Sequence, residues 1–257
     1  MKKYFYFVVE GVHDTAAIWR FLKLMSLKKI EFKVEVDKFW ERTIPNNFPH
    51  NDNLLKRVPI PMFFQNEQLS IAVQYAGGDG ELVKMFSSIE NIDYEALSGI
   101  AIFCDADKTR AHIRFNYLYE KLLNALDGDM KAIVEGTSFR NVKKADIKFG
   151  IYVFPNNEDE GTLEDLLLEG GAIVYKDLMN WAKDYVNSAK GLDNRYIKKA
   201  NFRGSKENKI LVGVMANIFK PGKANQVSIE ENDWISVDTV DGVIQRELRS
   251  FLSEMLE

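Results

Sequence analysis

The stretch YFYFVVE, residues 4–10, decides the fold class because it is aromatic or β-branched throughout and then stops at an acid. A run without polar alternation is typical of a strand that is buried on both faces, as in a parallel sheet. Three more segments are strand candidates, at 69–75, 99–104 and 149–154, and Pro155 stops the last of them.

Segments with apolar residues at helical spacing follow these strands. They predict helices at 13–25, 81–87 and 109–125, and from residue 163 onward at 163–168, 173–189, 206–219 and 240–256. Strands that alternate with helices predict an α/β fold with a mainly parallel sheet flanked by helices. Residues 1–155 are predicted to form this α/β domain, and residues 156–257 a helical C-terminal portion packed on it. The segment of about 39–68 holds four prolines and is predicted to be an irregular insertion.

The composition excludes several classes of protein. Hydrophobic residues make up 46% of the 257 residues and charged residues 28%, which excludes a disordered or collagen-like chain. Cys104 is the only cysteine, so an internal disulfide and a cysteine-rich zinc site are excluded, and a reducing, cytoplasmic location is expected. No segment approaches the ~18 apolar residues that a membrane-spanning helix needs.

Acids follow two of the predicted strands. Glu10 comes directly after the first, and Asp105 and Asp107 come directly after the third. Ligands of open parallel sheets bind outside the carboxyl ends of the strands. Asp105 and Asp107 alternate, so in extended geometry both carboxylates would point the same way. A cluster of carboxylates suits Mg²⁺, which can activate a nucleophile and stabilise phosphoryl charge.

A purely structural alternative exists for these acids. Aspartate at a strand end often forms a turn or caps the next helix. By this interpretation Asp107-Lys108-Thr109 is only a cap of the helix at 109–125, and Asp14 caps the helix at 13–25. The sequence leaves both interpretations open.

Two motifs resemble those of TOPRIM domains, which occur in bacterial primases, type II topoisomerases, recombination mediators and OLD-family nucleases. VVEGVHD, residues 8–14, resembles the first TOPRIM motif, and IFCDAD, residues 102–107, resembles the second. The gap between them is longer than in compact TOPRIM domains, and the insertion at about 39–68 accounts for much of the excess. The resemblance implies a four-stranded, mainly parallel sheet and phosphodiester chemistry that depends on Mg²⁺ or Mn²⁺. It implies that Glu10 is a general acid/base or a metal ligand, and that Asp105 and Asp107 are ligands.

A second resemblance covers the C-terminal portion. GIYVFPNN (150–157), GTLEDLLL (161–168) and KENK (206–209) are similar to an uncharacterised OLD-like TOPRIM family of prokaryotes. The resemblance implies that Glu164 is an additional metal ligand and that Lys209 stabilises phosphoryl charge, with Lys206 as the second candidate for that role. The alternative for Glu164 is an acid favoured by the positive end of a helix dipole.

Residues 188–209 form a basic stretch with seven bases and two acids, a local charge of +5 in a chain whose net charge is −4. Aromatic residues interleave with these bases, as on surfaces that bind phosphates and stack bases. We therefore predict that Lys198, Lys199, Arg203 and Lys206 contact nucleic acid. The alternative is a solvated loop between two helices.

These features give two hypotheses for function. The first is an OLD-like TOPRIM nuclease that acts on nucleic acid with Mg²⁺ or Mn²⁺, beside an ATPase on a separate chain. The segment Gly77–Gly80 is not an ATPase loop, because no Gly-Lys-Ser/Thr follows it. The second is a non-catalytic TOPRIM-like module that binds nucleic acid or a partner ATPase.

Overall fold

The computed structural model describes residues 2–45, 60–193, 202 and 204–257. The strands are β1 (Lys3–Val9), β2 (Lys28–Ile30), β3 (Met62–Gln65), β4 (Leu69–Tyr75), β5 (Gly99–Asp105) and β6 (Lys148–Phe154). The helices are α1 (Val12–Leu24), α2 (Leu82–Ser87), α3 (Ala111–Ala125), α4 (Gly128–Val134), α5 (Leu163–Val174), α6 (Lys176–Lys190), α7 (Ser205–Phe219), α8 (Asn225–Glu231) and α9 (Val243–Leu256). Short 3-10 turns lie at Lys33–Glu35, Lys38–Thr43, Asp79–Glu81, Ser88–Asn91 and Tyr94–Ala96.

The strands form one sheet in the order β2-β3-β4-β1-β5-β6. β1 is parallel to β4 and to β5, and Val9 pairs with Tyr75 on one side and with Phe103 on the other. β6 is also parallel to β5. The Lys148 N–H donates to the Ser98 carbonyl at the start of this pair, and the Ala106 N–H donates to the Phe154 carbonyl at its end. β2 and β3 extend the sheet by antiparallel pairing.

The structure confirms the predicted α/β class, with a mostly parallel sheet flanked by helices and a helical C-terminal part. The irregular character predicted for residues 39–68 is wrong at one place. Residues Met62–Gln65 of that segment form β3, which pairs with β2 and β4. β3 is only four residues long and directly follows Pro61, so its local pattern does not distinguish it from a loop. Residues 46–59 of the same segment lie outside the described part of the chain.

The chain divides into two compact units. The first comprises Met1–Cys104, Phe115–Tyr152 and Phe251–Glu257, and the second comprises Asp105–Arg114 and Val153–Ser250. The predicted domain boundary near residue 155 stays a prediction. Among the described residues, no helix is long and apolar enough to cross a membrane.

The first unit is held together by aromatic rings on the sheet. The ring centroid of Phe103 lies 5.4 Å from that of Phe7 and 5.7 Å from that of Phe251, which begins the last segment of this unit. Phe251 approaches β6 at Gly150, where an added Cβ would lie 2.9 Å from its ring. Glycine in the middle of a strand thus allows a close approach of the end of α9.

The core of the second unit surrounds Trp234, which is fully buried. Its ring packs against Tyr175 and Phe219, and its Nε1–H donates to Ser228 Oγ at 3.0 Å. α5 passes close to this residue at Gly170, where a Cβ would lie 1.9 Å from the Trp234 carbonyl oxygen. The lack of a side chain at Gly170 is therefore a condition for this packing.

Candidate functional site

Glu10 is half-buried and follows β1 in the first unit. Its carbonyl oxygen accepts hydrogen bonds from the Gly77 and Gly78 N–H groups, at 3.1 and 3.0 Å. Both glycines have positive φ values, +93° and +130°, a region that side chains rarely allow. The GGDG turn after β4 therefore fixes the backbone at Glu10.

Asp14 has the capping role that the structural alternative gave it. Its Oδ2 accepts a hydrogen bond from the Gly11 N–H at 2.7 Å, at the start of α1. This bond satisfies one of the N–H groups that the first turn of a helix leaves without a partner.

Asp105 is the last residue of β5 and is buried, with 9% of its surface exposed. Its Oδ1 accepts a hydrogen bond from the Leu163 N–H at 3.0 Å, at the first residue of α5. Its backbone carbonyl accepts from Arg114 Nε at 3.0 Å. The Asp105 carboxylate therefore lies at the N-terminus of α5, where the positive end of the helix dipole stabilises its negative charge.

Asp107 lies in a different environment from Asp105. It is exposed, and its φ of +55° places it in the left-handed region. Its N–H and carbonyl both bond to the backbone of Gly161, at 2.8 and 2.9 Å. The expectation of an extended Asp105–Asp107 segment is therefore wrong at Asp107, because a positive φ is not an extended conformation.

Glu164 and Asp165 occupy the first turn of α5. Glu164 is 5% exposed, and its Oε2 accepts the Thr162 hydroxyl at 2.7 Å. Asp165 Oδ2 accepts the Thr162 N–H at 2.8 Å, which completes a capping box. Asp105, Glu164 and Asp165 thus share the N-terminal end of one helix within the second unit.

The loop before α5 is built by two buried asparagines. Asn157 Oδ1 accepts the Val153 N–H at 2.7 Å, and Asn156 Oδ1 accepts the N–H groups of Glu158 and Asp159. Asp159 also forms an ion pair with Arg110 at 3.2 Å. These bonds show that the asparagines of GIYVFPNN shape the loop, a role that the motif alone did not reveal.

Two of the lysines predicted to bind phosphate or nucleic acid, Lys206 and Lys209, lie on α7. Lys206 and Lys209 are both exposed, and between them Asn208 donates from Nδ2 to Asp165 Oδ1 at 2.7 Å. The structure therefore connects the helix of Lys209 to the first turn of α5. Asn208 was missed as a bonding partner although it lies inside the quoted KENK motif.

Lys198, Lys199 and Arg203 of the basic stretch lie outside the described residues. Of the same stretch, Lys190 forms an ion pair with Glu207. The structure adds an aromatic surface that sequence reasoning missed. Trp181 and Tyr185 lie one turn apart on α6 and are 71% and 64% exposed. Their i, i+4 spacing, together with the buried Ala182 and Val186, is the signal that could have identified them.

Carboxylates are the kind of ligand that Mg²⁺ prefers, so the donor chemistry of Glu10, Asp105, Asp107 and Glu164 fits a divalent cation. Their arrangement does not provide a preformed site. Within residues 2–45, 60–193, 202 and 204–257, no group of three or more His, Cys, Asp or Glu side chains is placed to hold a metal ion.

Similarity to other proteins points to a family whose function is not assigned. A family model described as "Protein of unknown function (DUF3226)" matches residues 5–240. Among curated proteins, none matches. The chain is similar to the crystal structure of a hypothetical protein from Pyrococcus horikoshii OT3, with 13% identity, a TM-score of 0.49, and coverage of 98% of this chain and 95% of that one. A likeness of this degree decides neither fold nor function.

Proposed function

The chain belongs to the DUF3226 family, and we propose that it is a metal-dependent phosphodiester enzyme, an OLD-like TOPRIM nuclease that acts on nucleic acid. In this proposal Glu10, Asp105, Asp107 and Glu164 hold Mg²⁺ or Mn²⁺. Glu10 also acts as general acid/base, and Lys209 stabilises phosphoryl charge. A separate ATPase is its proposed partner.

The observation that supports the proposal is the register of the two strands that carry the motifs. β1 and β5 are adjacent and parallel, with Val9 paired to Phe103. Glu10 is the next residue after β1, and Asp105 is the last residue of β5. Acids at the carboxyl ends of neighbouring parallel strands occupy the edge where such sheets bind ligands.

The environment of Asp105 adds a second argument. Burial of a carboxylate is costly unless hydrogen bonds or a cation compensate for it. Asp105 and Glu164 are both buried near the start of α5. A divalent ion, when bound, would compensate for their charge and would lower the pKa of a bound water.

The arrangement also favours the second candidate, a non-catalytic module that binds nucleic acid or a partner ATPase. Asp105, Glu164 and Asp165 each accept a hydrogen bond at the start of α5, which is sufficient reason for a fold to hold them there. The described residues contain no preformed group of three metal-binding side chains. Metal binding is therefore the property that separates the two candidates.

The experiment compares thermal unfolding with and without Mn²⁺, and plasmid nicking, for the wild type and for Asp105→Asn and Glu10→Gln. If the protein is a nuclease of this kind, Mn²⁺ should raise the midpoint of thermal unfolding. At a hundredfold excess of Mn²⁺ over its Kd, binding adds about 2.7 kcal/mol to the free energy of unfolding. Both variants lose most of this rise and nick far more slowly.

Asp177→Asn is the matched control, since Asp177 is an exposed acid in the first turn of α6. It should respond to Mn²⁺ as the wild type does. A wild-type protein with neither a Mn²⁺ response nor nicking activity would exclude the nuclease and leave the binding module.

A further inference from the structure

The first unit contains a cavity of about 490 Å³, which lies within the ~300–1,000 Å³ range of small-molecule sites. Tyr6 of β1 and Gln74 of β4 contribute to its wall. They share one face of the sheet, because Val8 pairs with Gln74 and Tyr6 lies two residues before Val8. Met85 and Ile89 line it from α2 and the turn that follows.

Gln74 is a buried polar side chain in this wall, with 3% of its surface exposed. Its Nε2 donates one hydrogen to the Tyr75 carbonyl at 2.9 Å. Its Oε1 accepts no hydrogen bond from any described residue. An amide nitrogen carries two hydrogens, so Gln74 offers one acceptor and one remaining donor side by side.

Tyr6 is a second polar side chain in the lining of the cavity. Burial raises the pKa of Tyr6 far above its ordinary value, while a hydrogen bond with Ser88 acts in the opposite direction. Tyr6 therefore remains a neutral phenol at physiological pH.

Two cations contribute to the lining, Arg42 and Lys84. Lys84 forms an ion pair with Glu81 at 3.1 Å. Arg42 is exposed and makes no hydrogen bond or ion pair with the described residues. A guanidinium group binds phosphate oxygens in bidentate geometry, so Arg42 favours a phosphate over an uncharged group.

Pro61, Ala76, Met85, Ile89 and Ile92 form the apolar part of the lining. The polar residues Thr43, Glu81, Ser88 and Asn91 complete it. A thioether and branched aliphatic chains pack well on the faces of a flat ring. A glutamine amide matches the adjacent N6 donor and N7 acceptor of adenine. We propose that this cavity binds an adenosine monophosphate-like nucleotide, with the adenine edge on Gln74 and the phosphate on Arg42.

The test is isothermal titration of the full chain with AMP, GMP, adenosine and inorganic phosphate, in EDTA. The chelator removes divalent cations, so binding through the proposed metal site does not contribute. The wild type should bind AMP more tightly than adenosine, and at least about tenfold more tightly than GMP. Inorganic phosphate alone should bind weakly.

Three variants locate the binding. Gln74→Met keeps the length of the side chain and should remove the preference for AMP over GMP. Arg42→Gln changes an exposed residue, so the protein should fold normally, lose about tenfold in AMP affinity and keep its adenosine affinity. Lys33→Gln, an exposed lysine that does not line the cavity, should bind as the wild type does.

Absence of AMP binding at millimolar concentration would overturn the proposal. Equal binding of AMP and GMP by the wild type would overturn it too, as would an AMP affinity that neither Gln74→Met nor Arg42→Gln changes. None of these results bears on Mn²⁺ binding or nicking, so they are distinguishable from a failure of the proposed nuclease function.

Discussion

Asn208 on α7 donates a hydrogen bond from Nδ2 to Oδ1 of Asp165 at 2.7 Å, while Oδ2 of the same carboxylate accepts the Thr162 N–H. One half-buried side chain thus closes the capping box of α5 and fastens a second helix to it. The bond is charge-assisted, which makes it stronger than a bond between neutral groups.

Asn208→Ala should lower the free energy of unfolding by about 1 kcal/mol, and Asp165→Ala by about 2 kcal/mol, because the latter also removes the cap. The double variant should be less destabilised than the sum, with a coupling energy of about 1 kcal/mol. Urea unfolding of the four proteins measures this. Asn187→Ala, at an exposed asparagine of α6, is the control and should change the free energy of unfolding little. If the losses of Asn208→Ala and Asp165→Ala add up in the double variant, the bond between the two side chains does not form.

Asp105→Ala and Asp105→Asn should differ in stability. Alanine removes the acceptor for the Leu163 N–H and should lower the free energy of unfolding by about 1–2 kcal/mol. Asparagine still accepts this bond, so the free energy of unfolding of Asp105→Asn should be close to that of the wild type. Urea unfolding in the absence of metal separates the two. An alanine variant as stable as the wild type would contradict the capping role.

Gly170→Ala should destabilise the second unit by more than about 3 kcal/mol, because the new Cβ would lie 1.9 Å from the Trp234 carbonyl oxygen and 2.4 Å from Gln245 Nε2. Gly213 on α7 is the matched control, since the nearest atom to an added Cβ is 3.5 Å away. Gly213→Ala should instead gain about 0.5–1 kcal/mol from helix propensity. Thermal melts should show a lower midpoint for Gly170→Ala and a higher one for Gly213→Ala. Equal changes in the two midpoints would refute the packing at Gly170.

Trp181 should report on nucleic-acid binding. It is 71% exposed, whereas Trp40 and Trp234 are fully buried, so stacking of bases on Trp181 should quench the exposed part of the fluorescence. Trp181→Ala should lose this quenching and about tenfold in affinity for a single-stranded oligonucleotide. Phe32→Ala, at an aromatic residue that is 65% exposed in the first unit, should bind normally. Unchanged affinity of Trp181→Ala would remove α6 from the binding surface.

Replacing Lys198, Lys199 and Arg203 together by alanine should weaken nucleic-acid binding and flatten its salt dependence. Each phosphate of a single strand that the protein no longer neutralises changes the slope by about 0.7, so the slope of the triple variant should fall by about 2. Titrations at several salt concentrations measure the slope. A triple alanine variant at the exposed Lys28, Lys33 and Lys38 is the control and should keep the wild-type slope. If the triple variant at Lys198, Lys199 and Arg203 also keeps that slope, the basic stretch is a solvated loop.

The hydrophobic pattern by itself determined the four parallel strands. Each is mainly apolar because both of its faces are buried, although β4 also holds the polar Ser70 and Gln74. β4 begins and ends where it was predicted. β2 and β3 escaped prediction, since strands of three and four residues gain their stability from pairing with neighbours rather than from a local pattern.

The sequence also identified which acids follow strands, because their positions depend only on where an apolar run stops. It did not determine their surroundings. Tertiary contacts alone decided that Asp105 receives the N-terminus of α5 and that Asp107 turns into the left-handed region against Gly161. These bonds join residues more than fifty positions apart, and no local pattern encodes bonds over that separation. The cavity beside Gln74 has the same origin, since it exists only where β1, β4 and α2 meet.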